Sequence, residues 1–138
     1  MQHLNHLSQT QQSSVLELIK AATDLDGVPP IAEHVLLHLR HGGDKSDSHL
    51  VIEKDGQVIA YAHLDITDLV AGPSVEAVVH PKYRGQGFGT ALLNENLPYL
   101  RHSEDEAGCA LQLGAYHHSL WCGLLNQERV IAGYQKVI

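Results

Sequence analysis

Residues 75–93 read VEAVVHPKYRGQGFGTALL, and this stretch decides how the rest of the chain is arranged. Val75 to His80 is apolar and β-branched apart from Glu76, the composition of a buried strand. Pro81 closes that strand, because proline has no N–H to give a ladder. Arg84-Gly85-Gln86-Gly87-Phe88-Gly89 places glycine at every second position, and Thr90-Ala91-Leu92-Leu93 has the propensity of a helix. A strand, a glycine-rich turn and a helix start together make an anion site. The first N–H groups of a helix lack internal acceptors, the helix dipole adds partial positive charge, and glycine lets the backbone approach a ligand closely. A phosphate or pyrophosphate suits such a site, with Lys82 and Arg84 as sources of charge-assisted contacts.

Two common phosphate loops are excluded by spacing. A P-loop ends in Gly-Lys-Ser/Thr, and Gly89-Thr90 lacks the lysine. The dinucleotide pattern G-x-G-x-x-G requires glycine at position 90, which is threonine.

Working outward, the 138 residues suffice for one domain and one core. With 43% apolar and 18% charged residues the composition is globular. No run approaches the roughly 20 apolar residues of a membrane helix. The first ten residues, MQHLNHLSQT, carry no basic segment followed by an apolar one, so no signal peptide is expected. Cys109 and Cys122 lack motif spacing, which points to reduced thiols in a cytoplasmic protein; Cys109, among apolar neighbours, reads as core. A net charge of −7 argues against nucleic acid as the main partner and suits an amine substrate. Protonating all eleven histidines would move the charge to +4, so behaviour near pH 6 is expected to differ from that at pH 8.

Ser8-Gln9-Thr10-Gln11 has the form of a capping box, followed by Val15, Leu18, Ile19 and Ala22 on one helical face. Asp24-Leu25-Asp26-Gly27 breaks that helix. Pro29-Pro30 opens a second, with Ile31, Val35, Leu36 and Leu39 inward and Gly42-Gly43 as its stop. Strands are expected at 49–54 and 57–66 around an Asp55-Gly56 hairpin turn. Residues 42–48 and 68–72 are connections. The helix after Gly89 should end near Asn96, ahead of Pro98. Residues 101–108 form a charged loop, 109–114 a buried strand, 119–125 a short helix and 129–138 a last strand. The expected class is α/β (α+β), a mixed sheet flanked by helices in the order α-α-β-β-β-α-β-α-β.

The remaining pattern, Arg84-Gly-x-Gly-x-Gly after Val78-Val79-His80-Pro81, resembles the acetyl-CoA signature Q/R-x-x-G-x-G/A of the GCN5-related N-acetyltransferase (GNAT) family. The element order matches that fold. The resemblance implies acetyl-CoA as cosubstrate, no metal, and a small-molecule amine as acceptor. It implies that the strand before the loop and the next strand splay apart, with Ala77, Val78 and Val79 along the pantetheine arm. Arg84, Gly85, Gln86, Gly87, Phe88 and Gly89 would then lie at the pyrophosphate. Residues 21–35, AATDLDGVPPIAEHV, with VVHPKYRGQGFGTAL, further resemble the first of two tandem acetyltransferase domains in the mycothiol synthase family, which acetylates a cysteinyl-glucosaminyl-inositol. By that resemblance the glutamate after the D-G-V-x-P loop, Glu33, meets the sugar substrate. No second copy of the signature follows, and one strand fewer than usual follows the last helix. A partner is therefore expected, either a second GNAT domain or a second copy of the chain pairing along an exposed edge.

Amide formation from an amine needs a proton acceptor, a stabilised carbonyl oxygen and a proton for the departing thiolate. Glu76 is either that proton acceptor, direct or through water, or a carboxylate on the other sheet face paired with a base; alternation permits both. A tyrosine in the helix after the fifth strand commonly serves the thiolate in this family. The expected helix has Trp121 and no tyrosine, which leaves Tyr116, just before it, as the candidate, with Tyr134 after it. His34, His38 and His41 share a helix face at i, i+4 and i+7, but no carboxylate or cysteine is placed to complete a metal site, so they read as solvated side chains.

Overall fold

The Asp55-Gly56 turn forms as its residue types require. Asp55 has φ +52° and Gly56 φ +79°, the two left-handed positions of a tight hairpin turn. It joins strand β2 (His49–Lys54) to β3 (Gln57–Asp65). The computed structural model describes residues 1–27, 29–41, 49–65, 74–101, 110–113 and 116–121. The expected connections at 42–48 and 68–72, the charged loop at 101–108 apart from Arg101, Val28, Cys109, Cys122, Tyr134 and the strand at 129–138 lie outside these residues.

Six strands form one sheet in sequence order: β1 (Gln2–Leu4), β2, β3, β4 (Ser74–Val79), β5 (Ala110–Leu113) and β6 (Tyr116–Trp121). All neighbours are antiparallel except β4 and β5, which run parallel. Helix α1 (Gln9–Asp26) and helix α2 (Glu33–His41) cover one face. Their Val15, Leu18, Ile19, Ala22, Val35 and Leu39 pack on Val51, Val58, Tyr61 and Val78. Helix α3 (Phe88–Arg101) lies against β3 and β4, with Leu92, Leu93 and Asn96 buried. Covered on both sides, β3 is buried from Val58 to Leu64 and shows none of the polar alternation of a half-exposed strand. A bulge between β2 and β3 at Ile52/Glu53 takes Val58 out of step, and its N–H goes to Ser14 Oγ at 2.8 Å.

The capping box forms as expected: Gln11 N–H donates to Ser8 Oγ and Ser8 N–H to Gln11 Oε1. At the other end Gly27, φ +80°, caps α1 and donates its N–H to Thr23 O.

The structure departs from the expected order in several places. β1 was not expected; it is three residues long and owes its existence to pairing with β2. α2 begins at Glu33, after the prolines. α3 continues through Pro98 to Arg101, forgoing one i→i−4 bond where an end near Asn96 was expected. The helix expected at 119–125 is a strand as far as Trp121, held by β5 through Ala110↔Trp121 and Leu111↔Leu120; residues 122–125 lie outside the described ones. Among the described residues, no helix is long and apolar enough to cross a membrane.

Candidate active site

The glycine loop sits where β4 hands over to α3. Gly85 has φ +74° and Gly87 φ +89°, conformations that side chains disfavour. Gly85, Gln86 and Gly87 are exposed. Gly87 O accepts the first helical bond, from Ala91 N–H at 3.0 Å. The N–H groups of Phe88, Gly89 and Thr90 therefore have no acceptor within the helix, and they face the same end as the loop. Phe88 is half-buried, edge-on to Tyr83, and Gly89 is buried under the first turn. This cradle fits the pyrophosphate of acetyl-CoA by its donors and its partial charge.

β4 supplies the second part. Its register with β5 runs from Ser74↔Ala110 to Ala77↔Leu113 and, among the described residues, does not reach Val78 or Val79. His80 N–H bonds Ile59 O on the β3 side. Alternation then turns the Val79 N–H and C=O toward the β5 side, beyond the last pair. Ala77 is the last residue paired with β5 among the described residues, and Val78 directs its backbone to β3 opposite Tyr61.

Arg84 behaves differently from a phosphate ligand. Its Nε donates to Val79 O at 3.1 Å. Nη1 and Nη2 donate to Asp26 Oδ1 and Oδ2 at 2.7 and 2.6 Å. The side-chain contact expected at the pyrophosphate is thus directed inward, to the last residue of α1.

Glu76 lies on the face covered by α1 and α2, buried at 7% exposure. Its Oε2 accepts the Ala32 N–H at 2.7 Å, and Oε1 is 3.8 Å from the Nε2 of His34, whose side chain is 59% exposed. Ala32 O accepts from Val35 and Leu36 N–H, so Ala32 is the cap of α2 and Glu76 sits at that helix's positive end. Glu33 is exposed at the first position of α2, between the two residues that touch Glu76. The base beside Glu76 is thus a helix-borne histidine open to solvent.

The GNAT acetyltransferase domain profile matches residues 45–136. The chain belongs to this family. Among curated relatives, the mycothiol acetyltransferase of Streptosporangium roseum is 41% identical over 116 residues, covering 84% of this chain and 32% of its own. That of Acidothermus cellulolyticus is 48% identical over 82 residues, covering 57% of this chain and 25% of its own. The chain therefore spans about a third or less of the length of these relatives. Among solved structures, a GCN5-related N-acetyltransferase of Sphaerobacter thermophilus matches with TM-score 0.64 at 24% identity, over 94% of this chain and 41% of that one. A GNAT family acetyltransferase of Brucella melitensis, in complex with acetyl-CoA, matches with TM-score 0.53 at 21% identity, over 91% and 78%. At these identities the structures bear on the fold alone.

Against the GNAT pattern, Tyr116 stands in a strand. It opens β6 opposite Leu113, which on its other side pairs with Ala77. Its backbone is two strands from β4, and the residues that follow it are strand as far as Trp121, where a helix from 119 was expected.

A cluster absent from the sequence reading lies beside Glu76. His63, opposite Glu76 in the β3–β4 register, is also opposite His49 in β2. Both rings are buried, at 0% exposure for His49 and 2% for His63. His38 meets His63 edge-on at 5.0 Å, and His49 and His63 are 5.5 Å apart. His49 Nδ1 shares a 2.8 Å hydrogen bond with the Tyr61 hydroxyl. Burial first, and then the neighbouring histidines, hold His49 down at about 4 and His63 at about 3, so both are neutral at pH 7. Burial, with Glu76 second, raises Tyr61 well above its usual range. Of the three histidines sharing a helical face, His34 meets Glu76, His38 meets His63, and His41 is exposed. Among the described residues no group of three or more His, Cys, Asp or Glu side chains is arranged to hold a metal ion.

Proposed function

We propose that this chain is an acetyl-CoA-dependent N-acetyltransferase domain of mycothiol acetyltransferase type, moving acetyl to a primary amine such as the cysteinyl amine of a glucosaminyl-inositol. The observation that carries this is the loop of Gly85 and Gly87 at positive φ, placed at the head of α3 and at the end of β4, whose pairing with β5 runs, among the described residues, from Ser74 to Ala77. Bound acetyl-CoA supplies the thioester carbonyl that an amine attacks. The chain's residues do the rest. The N–H groups of the loop and of Phe88 to Thr90 hold the pyrophosphate, and Val78 and Val79 line the pantetheine, with the Val79 N–H as donor. Glu76 takes the proton of the acceptor amine, directly or through a water, and His34 passes it to solvent. Glu33, exposed beside them, binds the acceptor. Tyr116 is the candidate donor to the departing thiolate.

Calorimetric titration with acetyl-CoA tests this directly: saturable heat, displaced by free CoA, is expected. No heat and no competition by CoA would reject it. The share of the relatives' length that the chain covers favours a second reading, in which this domain binds acetyl-CoA but turns over only beside a second GNAT domain. Acetylation of the cysteinylated sugar-inositol, or of any small amine, by this chain alone would exclude that.

A further inference from the structure

We propose that Asp26 is a positioning residue for the acetyl-CoA loop, holding its backbone in shape through Arg84. The role rests on the acetyl-CoA reading above, but its geometry stands alone. The Asp26–Arg84 pair is bidentate, at 2.7 and 2.6 Å, with side chains only 10% and 24% exposed. A planar guanidinium in this fork fixes orientation as well as distance. Asp26 ends α1, a helix anchored by its capping box and by core residues along its length. Arg84 immediately precedes Gly85, and its Nε also fixes Val79 O.

The loop itself has few other ties. Gln86 Nε2 reaches Lys82 O at 3.4 Å, and Arg84 N–H reaches Pro81 O at 3.5 Å; both are long. Glycines at two loop positions leave the free backbone many conformations. A site made of backbone N–H groups binds well only if they are held converged before the ligand arrives. Among the described residues, the strong restraint on this loop is the ion pair to α1. Asp26 also stands at the start of the connection that ends in Ala32, the donor to Glu76. One short segment therefore touches both the cofactor loop and the proposed base.

The test is a double-mutant cycle read in two ways: calorimetric affinity for acetyl-CoA, and hydrogen exchange of the amides at 85–87. Asp26→Ala is expected to weaken acetyl-CoA binding about tenfold and to speed exchange at 85–87 while α1 and the sheet stay protected. Asp26→Asn keeps the size and one acceptor, and serves as well if the alanine variant does not fold; a smaller loss of the same kind is expected. Asp26→Ala/Arg84→Ala should bind no more weakly than Arg84→Ala alone, because one latch is removed either way. Losses that multiply in the double variant would mean that Asp26 and Arg84 act independently, and would overturn the proposal. Unchanged exchange at 85–87 in both Asp26 variants would overturn it too. If the parent chain binds no acetyl-CoA, the exchange readout still decides the role of Asp26, while the functional reading fails separately.

Discussion

The loop at 84–87 and the histidine row under α2 are both polar, both histidine- or glycine-rich in composition, and both lie along β4. They differ in what assembles them. The loop is made by consecutive residues: its shape follows from glycines at positive φ and from a helix that must begin next to them. The row is made by register: His49, His63 and Glu76 come from three strands and His38 from a helix, and no two of them are close in sequence. Local chemistry decides the first, and packing decides the second. The glycines of the first are exposed; His49 and His63 of the second are buried, and their charge state is fixed by the fold.

The largest effect expected from this difference is an acid sensitivity that belongs to the row. The unfolded chain takes up protons on His49 and His63 near pH 6.5, whereas the folded one does so only near 4 and 3. Folded values that lie below the unfolded ones mean stability that is present above pH 6.5 and lost as pH falls toward the folded values. Between pH 7 and pH 5 the loss is roughly 2 kcal/mol for each of the two histidines. Urea unfolding at both pH values, on the parent and on His49→Gln/His63→Gln, measures it. The variant should lose clearly less than the parent over the same interval. An equal loss would place the acid sensitivity elsewhere and remove the contrast with the loop.

The next effect belongs to the loop. Gly87→Val places a Cβ that meets nothing within 4 Å in the protein, so the cost to folding is the backbone strain at φ +89°, roughly 1–2 kcal/mol. The expected cost to the ligand is larger, because on the proposed reading the branched side chain would stand where the pyrophosphate meets the N–H groups. Acetyl-CoA binding should weaken by at least ~2 kcal/mol, about thirtyfold, and by more than in Arg84→Ala, which loosens the loop without filling it. Normal affinity in a folded Gly87→Val would reduce the loop to a turn.

What could be read from the sequence follows the same division. Ser8 with Gln11, Asp55-Gly56, Gly85 and Gly87 all encode a backbone conformation within four residues, and each forms as expected. β1 and β6 were not legible, because Gln2–Leu4 and Tyr116–Trp121 are strands only through their neighbours. Pro98 misled for a related reason: its roughly 3 kcal/mol penalty is a local quantity, and the helix extends past it regardless. Glu76 stayed ambiguous because alternation alone leaves open which face of the sheet it takes; Ala32 N–H and His34 become its neighbours only when α2 docks. β3, buried along both faces, hid its histidine for want of any polar periodicity.

The smallest effect separates residues that spacing alone treats as equals. His34, His38 and His41 recur along one helical face, yet only His38 is drawn into the buried row, edge-on to His63, while His41 is exposed in the last turn of α2. An exposed side chain there contributes little, because its removal opens no cavity in the core. His41→Ala should therefore change stability by less than about 0.5 kcal/mol and leave the pH 7 to pH 5 loss as in the parent. His38→Ala removes a ring that packs on His63, admits water beside it and lets that imidazole take up a proton at a less acid pH. Its pH-dependent loss should shrink in the direction of the His49→Gln/His63→Gln variant. If His41→Ala and His38→Ala shift the acid sensitivity equally, proximity along the helix, and not packing against β3, governs the row.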